Sequence, residues 1–397
     1  MTAPDIFTTL CSEINQERII EDLGTMISIP SMNPFQQPVR KNYREQEMAE
    51  FYCDRMSDLG LDVGSREVVP GRPNVWGVLK GKGSGPSLML SGHLDTVGNE
   101  NYVDAFIPRV ENNRVYGRGA CDMKDALASY LEVVRLLREA DAPPHGDLIL
   151  TGIADEEDQM IGSKDLGTNG PWADYGLIGE PSNLAICSAH KGQVGYRVRV
   201  FGKAVHSSRP EDGVNAIEGM CHVIEALKEH QHTLMTNDAH RLCGHGRCCP
   251  SVIHGGTIVS TVPDYCELEI DRRTLPGESR EDVYRELESL ITAVARSHPQ
   301  FKYEIEGPTI DVQPLDVSAD NPIINSVLSA YKSVTGNLIE TSAFLGGTDA
   351  PHFGFATLIF GAGSLQQAHS RNEYVELDEM LVATKVYLSA AIKILYT

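Results

Sequence analysis

Five short fragments carry acids and histidines in a pattern that could hold metal ions. They are Ser91-Gly-His-Leu-Asp-Thr96, Gly119-Ala-Cys-Asp-Met-Lys-Asp125, Ala154-Asp-Glu-Glu157, Gly179-Glu-Pro181 and Ala368-His-Ser370. In the first, the imidazole of His93 can ligate a metal while the carboxylate of Asp95 bonds the other ring N–H. Such a bond fixes the tautomer and raises ligand basicity. The plain alternative is a surface histidine near an acid. Asp122 stands between a glycine turn and a helix pattern. A carboxylate there either caps the helix or bridges two ions about 3.5–4 Å apart. Four acids in a row, Asp155 to Asp158, form a solvated loop when nothing else is near. Beside a metal, adjacent Glu157 and Glu156 can split duties, one binding the ion and the other taking a proton from water. Glu180 precedes Pro181, and His369 lies in a polar loop after Phe360-Gly-Ala-Gly363. Singly, each has a structural reading. Together they offer His93, Asp122, Glu157, Glu180 and His369 as ligands, with Glu156 as base.

The elements that must position them follow from hydrophobic periodicity. Apolar residues at Ile14, Ile19, Ile20, Leu23, Met26 and Ile27 suit an amphipathic helix, and Met48, Tyr52, Met56 and Leu59 a second. Strand-like runs follow at Asn74–Leu79, Ser87–Leu90, Leu148–Ile153 and Tyr175–Ile178, with a helix over about 125–139. Strands alternating with helices imply a parallel or mixed sheet covered on both faces. His93, Glu157 and Glu180 then sit just past strand carboxyl ends, where open α/β sheets place their ligand crevices.

The middle reads differently. Val194 to Phe201 alternates with period two, a helix pattern spans 216–230, two strands fall near 251–259 and 265–273, a helix near 280–296, and a last strand at 303–305. That β-α-β-β-α-β order is the ferredoxin-like layout. Helices near 322–333 and 378–395 and a strand at 357–360 then resume the first pattern. The expected fold is α/β: a mixed-sheet three-layer catalytic domain (1–190 and 307–397) with an inserted ferredoxin-like α+β domain (191–306).

Composition narrows the function class. A chain of 397 residues favours two domains. The formal net charge of −21 argues against nucleic acid or an anionic membrane surface, though a metal or a local arginine can still receive an anionic substrate. Nine scattered cysteines without a signal-peptide pattern predict reduced thiols in a cytoplasm. No apolar run reaches the length of a membrane span.

Taken together, the fragments resemble the metal-dependent deacylase and exopeptidase family of acetylornithine deacetylase, succinyl-diaminopimelate desuccinylase, aminoacylase and glutamate carboxypeptidase. The resemblance runs from Met26-Ile-Ser-Ile-Pro-Ser31 to the His369 loop. It implies two zinc ions per chain, with cobalt or manganese also suiting the ligands. His93, Asp122 and Glu180 would hold one ion and Asp122, Glu157 and His369 the other. Glu156 matches the general base and Asp95 the support of the first histidine. The inserted domain would be a lid through which the chain forms a homodimer. Ala204-Val-His-Ser-Ser-Arg-Pro-Glu-Asp-Gly-Val-Asn-Ala216 resembles the lid motif, whose histidine, here His206, reaches a neighbouring active site and stabilises an oxyanion. Arg273, in Asp271-Arg-Arg-Thr-Leu-Pro-Gly277, matches an arginine that holds the substrate carboxylate. Gly347 and Thr348, in Gly346-Gly-Thr-Asp-Ala-Pro351, match a substrate loop. Ser260 departs from the asparagine that many relatives carry at the lid, so acyl and side-chain specificity does not transfer with the resemblance.

The implied reaction is hydrolysis of the amide of an N-acyl amino acid by a metal-activated water. The alternatives on the same site are a dipeptidase or carboxypeptidase acting on short peptides and an N-carbamoyl amino acid hydrolase; outside that chemistry stands a catalytically silent dimeric binding protein. A separate stretch, Cys243, His245, Cys248 and Cys249, fits no standard zinc-finger spacing and reads as a lid loop with incidental thiols.

Overall fold

The computed structural model describes residues 3–38, 43–99, 102–140 and 143–396. They divide into two compact units, one formed by the segments up to Ser188 and from Val317 onward, the other by Ala189–Asp316.

In the first unit the apolar runs build a mixed sheet. Side by side lie Asp62–Val69, Arg72–Leu79, Leu148–Ile153, Leu88–His93, Tyr175–Ile178 and Ala356–Ile359. The first two form an antiparallel hairpin, and Arg72–Leu79 is antiparallel to Leu148–Ile153. From Leu148–Ile153 onward these neighbours are parallel. Leu88–His93 and Leu148–Ile153 are buried at every position, which requires cover on both faces of the sheet. Helices Lys124–Glu139 and Leu377–Leu395 pack against Leu88–His93, and Glu45–Asp58 packs on the hairpin. Register decides the site: His93 lies opposite Ile153, and Ser91 opposite Ile178. Three parallel strands about 4.8 Å apart therefore end side by side; the first ends on His93, and Glu157 and Glu180 follow the other two.

Leu150 sits fully buried in the centre of this sheet, paired with Leu90 and Gly77. Leu150→Ala is expected to cost about 2–5 kcal/mol, read as a lower denaturant midpoint with an unchanged slope.

The second unit is a four-stranded antiparallel sheet in the order Arg247–Gly255, Tyr265–Thr274, Gly192–Phe201, Lys302–Val312. Helices Ala216–Thr236 and Arg280–Ser297 cover one face. Val198, Leu268, Ile270, Met220, Leu227 and Leu287 lie in the shared core. Alternate burial along Tyr265–Thr274 marks the half-covered sheet.

Two elements differ from the sequence reading. The strand expected over 251–259 forms at Arg247–Gly255, because Gly256, at φ 75°, turns the chain away. The last strand runs on to Val312, its register shifting between Glu306 and Ile310. The earlier start of the first strand places Cys248 opposite Arg272 and Cys249 opposite Asp271. Successive strand side chains point to opposite faces, so Cys248 is buried and Cys249 exposed. No metal-holding group forms in that stretch among the described residues.

Candidate metal centre

The ends of the parallel strands, the turn before helix Lys124–Glu139 and the loop of His369 bring the five candidate ligands to one place. Ligand atoms of His93, Asp122 and Glu180 lie within 4.8 Å of one another, as do those of Asp122, Glu157 and His369. Asp122 belongs to both groups. Its Oδ1 is 3.1 Å from His93 Nε2 and its Oδ2 3.2 Å from His369 Nε2, and His369 Nε2 is also 3.2 Å from Glu157 Oε2. One carboxylate thus faces two imidazoles with separate oxygens, as a bridging ligand must. Glu156 stands outside both groups, although the charges of His93 and Glu180 act on it.

The chemistry of this donor set fits a pair of dications. Glu180 is buried with an Oε1 that has no hydrogen-bond partner, and such a group ordinarily costs stability. Burial, together with the charge of Glu180, pushes the Glu156 carboxyl well above its ordinary range. Burial and the charge of Asp122 push up Glu180 and Glu157 as well. Hydrogen bonds to Asp122 and Glu157 hold the His369 imidazole up to about 10. For His93, burial pulls down, but the carboxylates of Asp122 and Asp95 beside the ring outweigh it and raise it well above its usual range. Without metal ions, protons must supply the positive charge that these crowded carboxylates demand. Imidazole and carboxylate donors around a shared carboxylate are the ligands zinc, cobalt and manganese accept.

Asp95 holds His93 differently from the sequence expectation. Nδ1 of His93 lies 2.9 Å from the main-chain oxygen of Asp95, with the carboxylate at 3.6 Å. The carboxylate instead accepts the N–H of Glu156 at 3.1 Å and that of Glu157 at 3.2 Å. Asp95 therefore steadies both the histidine and the turn carrying the two glutamates. The surface histidine does not describe His93, which is buried with Asp95 and Asp155, while Glu156, Glu157 and Asp158 are half-buried.

Sequence reasoning missed several supporting groups. Glu373, four residues after His369, is buried and accepts the backbone N–H of Cys121 at 2.9 Å and of Asp122 at 3.1 Å, while Arg118 holds its other oxygen. Lys124, fully buried, donates to the carbonyls of Met26 at 2.8 Å and Ile29 at 3.0 Å, fixing the helix Gln16–Ser28 to the Asp122 turn. Asp349 is buried beside this chemistry, and burial pushes its carboxyl up to about 7. The ion pair of Arg118 with Glu373 joins residues 255 apart, and nothing local in the sequence marks either one. Of the predicted substrate loop, Thr348 is fully buried and accepts the Ala350 N–H at 3.3 Å; Gly347, preceding it, is half-buried.

The second unit carries the remaining predicted residues. His206 is exposed on the short strand Val205–His206, which pairs with Thr261–Val262. Ser260, next to that strand, accepts the Ser207 N–H at 2.8 Å. Nδ1 of His206 receives the Ser208 N–H at 3.2 Å and lies 2.8 Å from its hydroxyl, which leaves Nε2 as the protonated nitrogen of the neutral ring. Arg272 is fully buried, tied to Glu278 and Glu286. Arg273, partly exposed, bonds Asp271 through Nε at 3.1 Å.

A profile described as Peptidase family M20/M25/M40 matches residues 89–393. The chain belongs to this family. An acetylornithine deacetylase of Aliivibrio salmonicida (strain LFI1238) is 34% identical over 329 residues, covering 80% of this chain and 83% of the relative. Among solved structures, a tripeptidase from Staphylococcus aureus subsp. aureus Mu50 superposes with a TM-score of 0.78 at 21% identity, over 96% of this chain and 99% of that one. A Bacillus subtilis protein described as a dinuclear metal binding peptidase from the M20 family gives 0.68 at 16% identity, over 96% and 98%. This M20 chain is accordingly a metal-dependent hydrolase with a mixed-sheet catalytic unit and the family's second, smaller domain. No helix among its described residues is long and apolar enough to cross a membrane.

Proposed function

We propose that this M20 hydrolase cleaves the amide bond of an N-acyl amino acid, with Glu156 as general base and His93, Asp122, Glu157, Glu180 and His369 as ligands of two zinc ions. One observation carries the reading: two ligand groups share Asp122 while Glu156 stays outside both. The relatives named as acetylornithine deacetylases favour the acyl amino acid over other amides.

Bound dications supply Lewis acidity toward water and an amide carbonyl. The residues of the chain do the rest. Glu156 accepts the proton of the attacking water and returns it to the leaving nitrogen, and a carboxyl pushed above its ordinary range suits both directions. Asp95 keeps its backbone in place. His206, donating through Nε2, stabilises the developing oxyanion. Arg273 holds the substrate carboxylate through its planar fork, and the Gly347–Thr348 segment offers backbone to the substrate. A homodimer through the smaller unit goes with this use of His206. The exposed Val252 and Ile253 on the edge strand Arg247–Gly255 support it. A cytoplasmic setting accords with nine free cysteines.

The test is a panel of N-acetyl, N-succinyl and N-formyl amino acids beside dipeptides and N-carbamoyl amino acids, on zinc-loaded protein. Turnover of the N-acyl compounds is expected. Preferred cleavage of dipeptides, or ammonia release from carbamoyl compounds, would move the assignment to those alternatives, and a silent panel with metal bound would favour the binding-protein reading. On the substrate that reacts, Arg273→Ala is expected to raise KM about 10–100-fold with kcat changed little, matching the loss of a charge-assisted hydrogen-bond pair.

A further inference from the structure

Behind Glu156, segments far apart in sequence meet on one guanidinium. Arg72 opens the strand Arg72–Leu79, and its side chain is only 11% exposed. It pairs with Glu45 at the start of helix Glu45–Asp58. Its Nη1 lies 2.6 Å from Asp155 Oδ1, and its Nη2 faces Asp95 Oδ2 at 3.9 Å. The three carboxylates are cross-linked as well. Glu45 accepts the Asp155 N–H at 3.0 Å, while Asn33 donates to Asp95 at 2.7 Å and to Asp155 at 3.0 Å.

This cluster ends on the catalytic turn. Asp155 holds φ at 65°, a left-handed conformation that a residue with a Cβ keeps only where its surroundings over-determine it. The next two N–H groups, of Glu156 and Glu157, are both accepted by Asp95. Three buried acids side by side would repel and separate without a cation between them. Arg72 bonds Glu45 and Asp155 directly, and its Nη2 faces Asp95 from 3.9 Å. A lysine offers a single point charge and cannot span them with a planar fork.

We propose that Arg72 is a positioning residue for the hydrolytic reaction: through Asp95 and Asp155 it sets the turn that presents Glu156 and Glu157 to the metal centre. This rests on the roles proposed above for those two glutamates.

The experiment uses full-length Arg72→Lys and Arg72→Ala. Cobalt binding is followed by visible absorption, and kcat and KM are measured on whichever substrate the parent turns over. In folded Arg72→Lys, cobalt affinity and kcat are each expected to fall about 10–100-fold, with KM within about twofold. Added guanidinium ion is expected to restore part of kcat to Arg72→Ala. Cobalt affinity and kcat both within about twofold of the parent would overturn the proposal, as would a loss confined to melting temperature or to KM. Should the arginine variants fail to fold, Glu45→Gln decides: lower cobalt affinity supports the proposal and unchanged affinity sinks it. The cobalt titration needs no substrate, so a parent silent on every amide counts against the proposed function while the role of Arg72 is still decided by cobalt affinity.

Discussion

Glu156→Gln is expected to lower kcat by about 10²–10⁴-fold, the usual worth of a positioned general base, while metal content stays at the parent level. Glutamine keeps the size of the side chain, and the backbone N–H can still bond Asp95. What disappears is an atom able to take and return a proton. Glu156 belongs to neither ligand group, so its loss should leave both intact. Glu157→Gln is the informative neighbour: it touches His369 and should lose metal as well as rate. Near-parent turnover in Glu156→Gln would remove the base from this residue. Loss of metal along with rate would make it a ligand instead.

Asp122→Ala is expected to lose activity to background and to take metal content from about two ions per chain to below one. Among the described residues no other belongs to both groups, and its removal leaves two imidazoles without the carboxylate between them. Glu180→Ala and His369→Ala each touch one group and should each lose chiefly one ion. Metal analysis after dialysis separates these outcomes, and a fully loaded Asp122→Ala would refute the bridging assignment. The same balance makes loading depend on pH. A ring held up to about 10, as His369 is without metal, carries a proton at pH 8 that the ion must displace. Affinity should therefore fall as pH falls, by about tenfold per unit for each proton displaced. Calorimetry in buffers of different ionisation enthalpy would read that release, and binding heats independent of buffer would contradict it.

The candidate ligands were legible because strands announce their ends. Leu88 to Leu90, Leu148 to Ile153 and Tyr175 to Ile178 are apolar runs that stop at His93, Glu157 and Glu180, so type and position reinforced each other. The inserted unit was legible from its alternation, though its first outer strand slid four residues because nothing local marked Arg247 as its start. The supporting groups were not legible. Glu45, Arg72 and Glu373 are ordinary charged residues in sequence, and only the fold buries them. Asp95 shows a subtler limit. Two residues after a histidine it looked like the ring's carboxylate partner, yet its main chain does that work and frees the side chain for the turn beyond. Hydrogen bonding of that kind depends on local dihedral angles that residue types do not report.

Glu373 reaches Cys121 and Asp122 across 252 and 251 residues, and this separation governs the order in which the enzyme can be assembled. Chains emerge from the ribosome amino end first, and domains fold as they appear. When the Asp122 turn is made, neither the acceptor for its backbone N–H groups nor His369 exists. The whole Ala189–Asp316 unit is synthesised in between and can fold on its own contacts while the first segment waits. Closing so long a loop is entropically slow. The nascent chain therefore holds His93, Asp122 and Glu180 before His369 and Glu373 exist, and the group of Asp122, Glu157 and His369 is completed only after they are made.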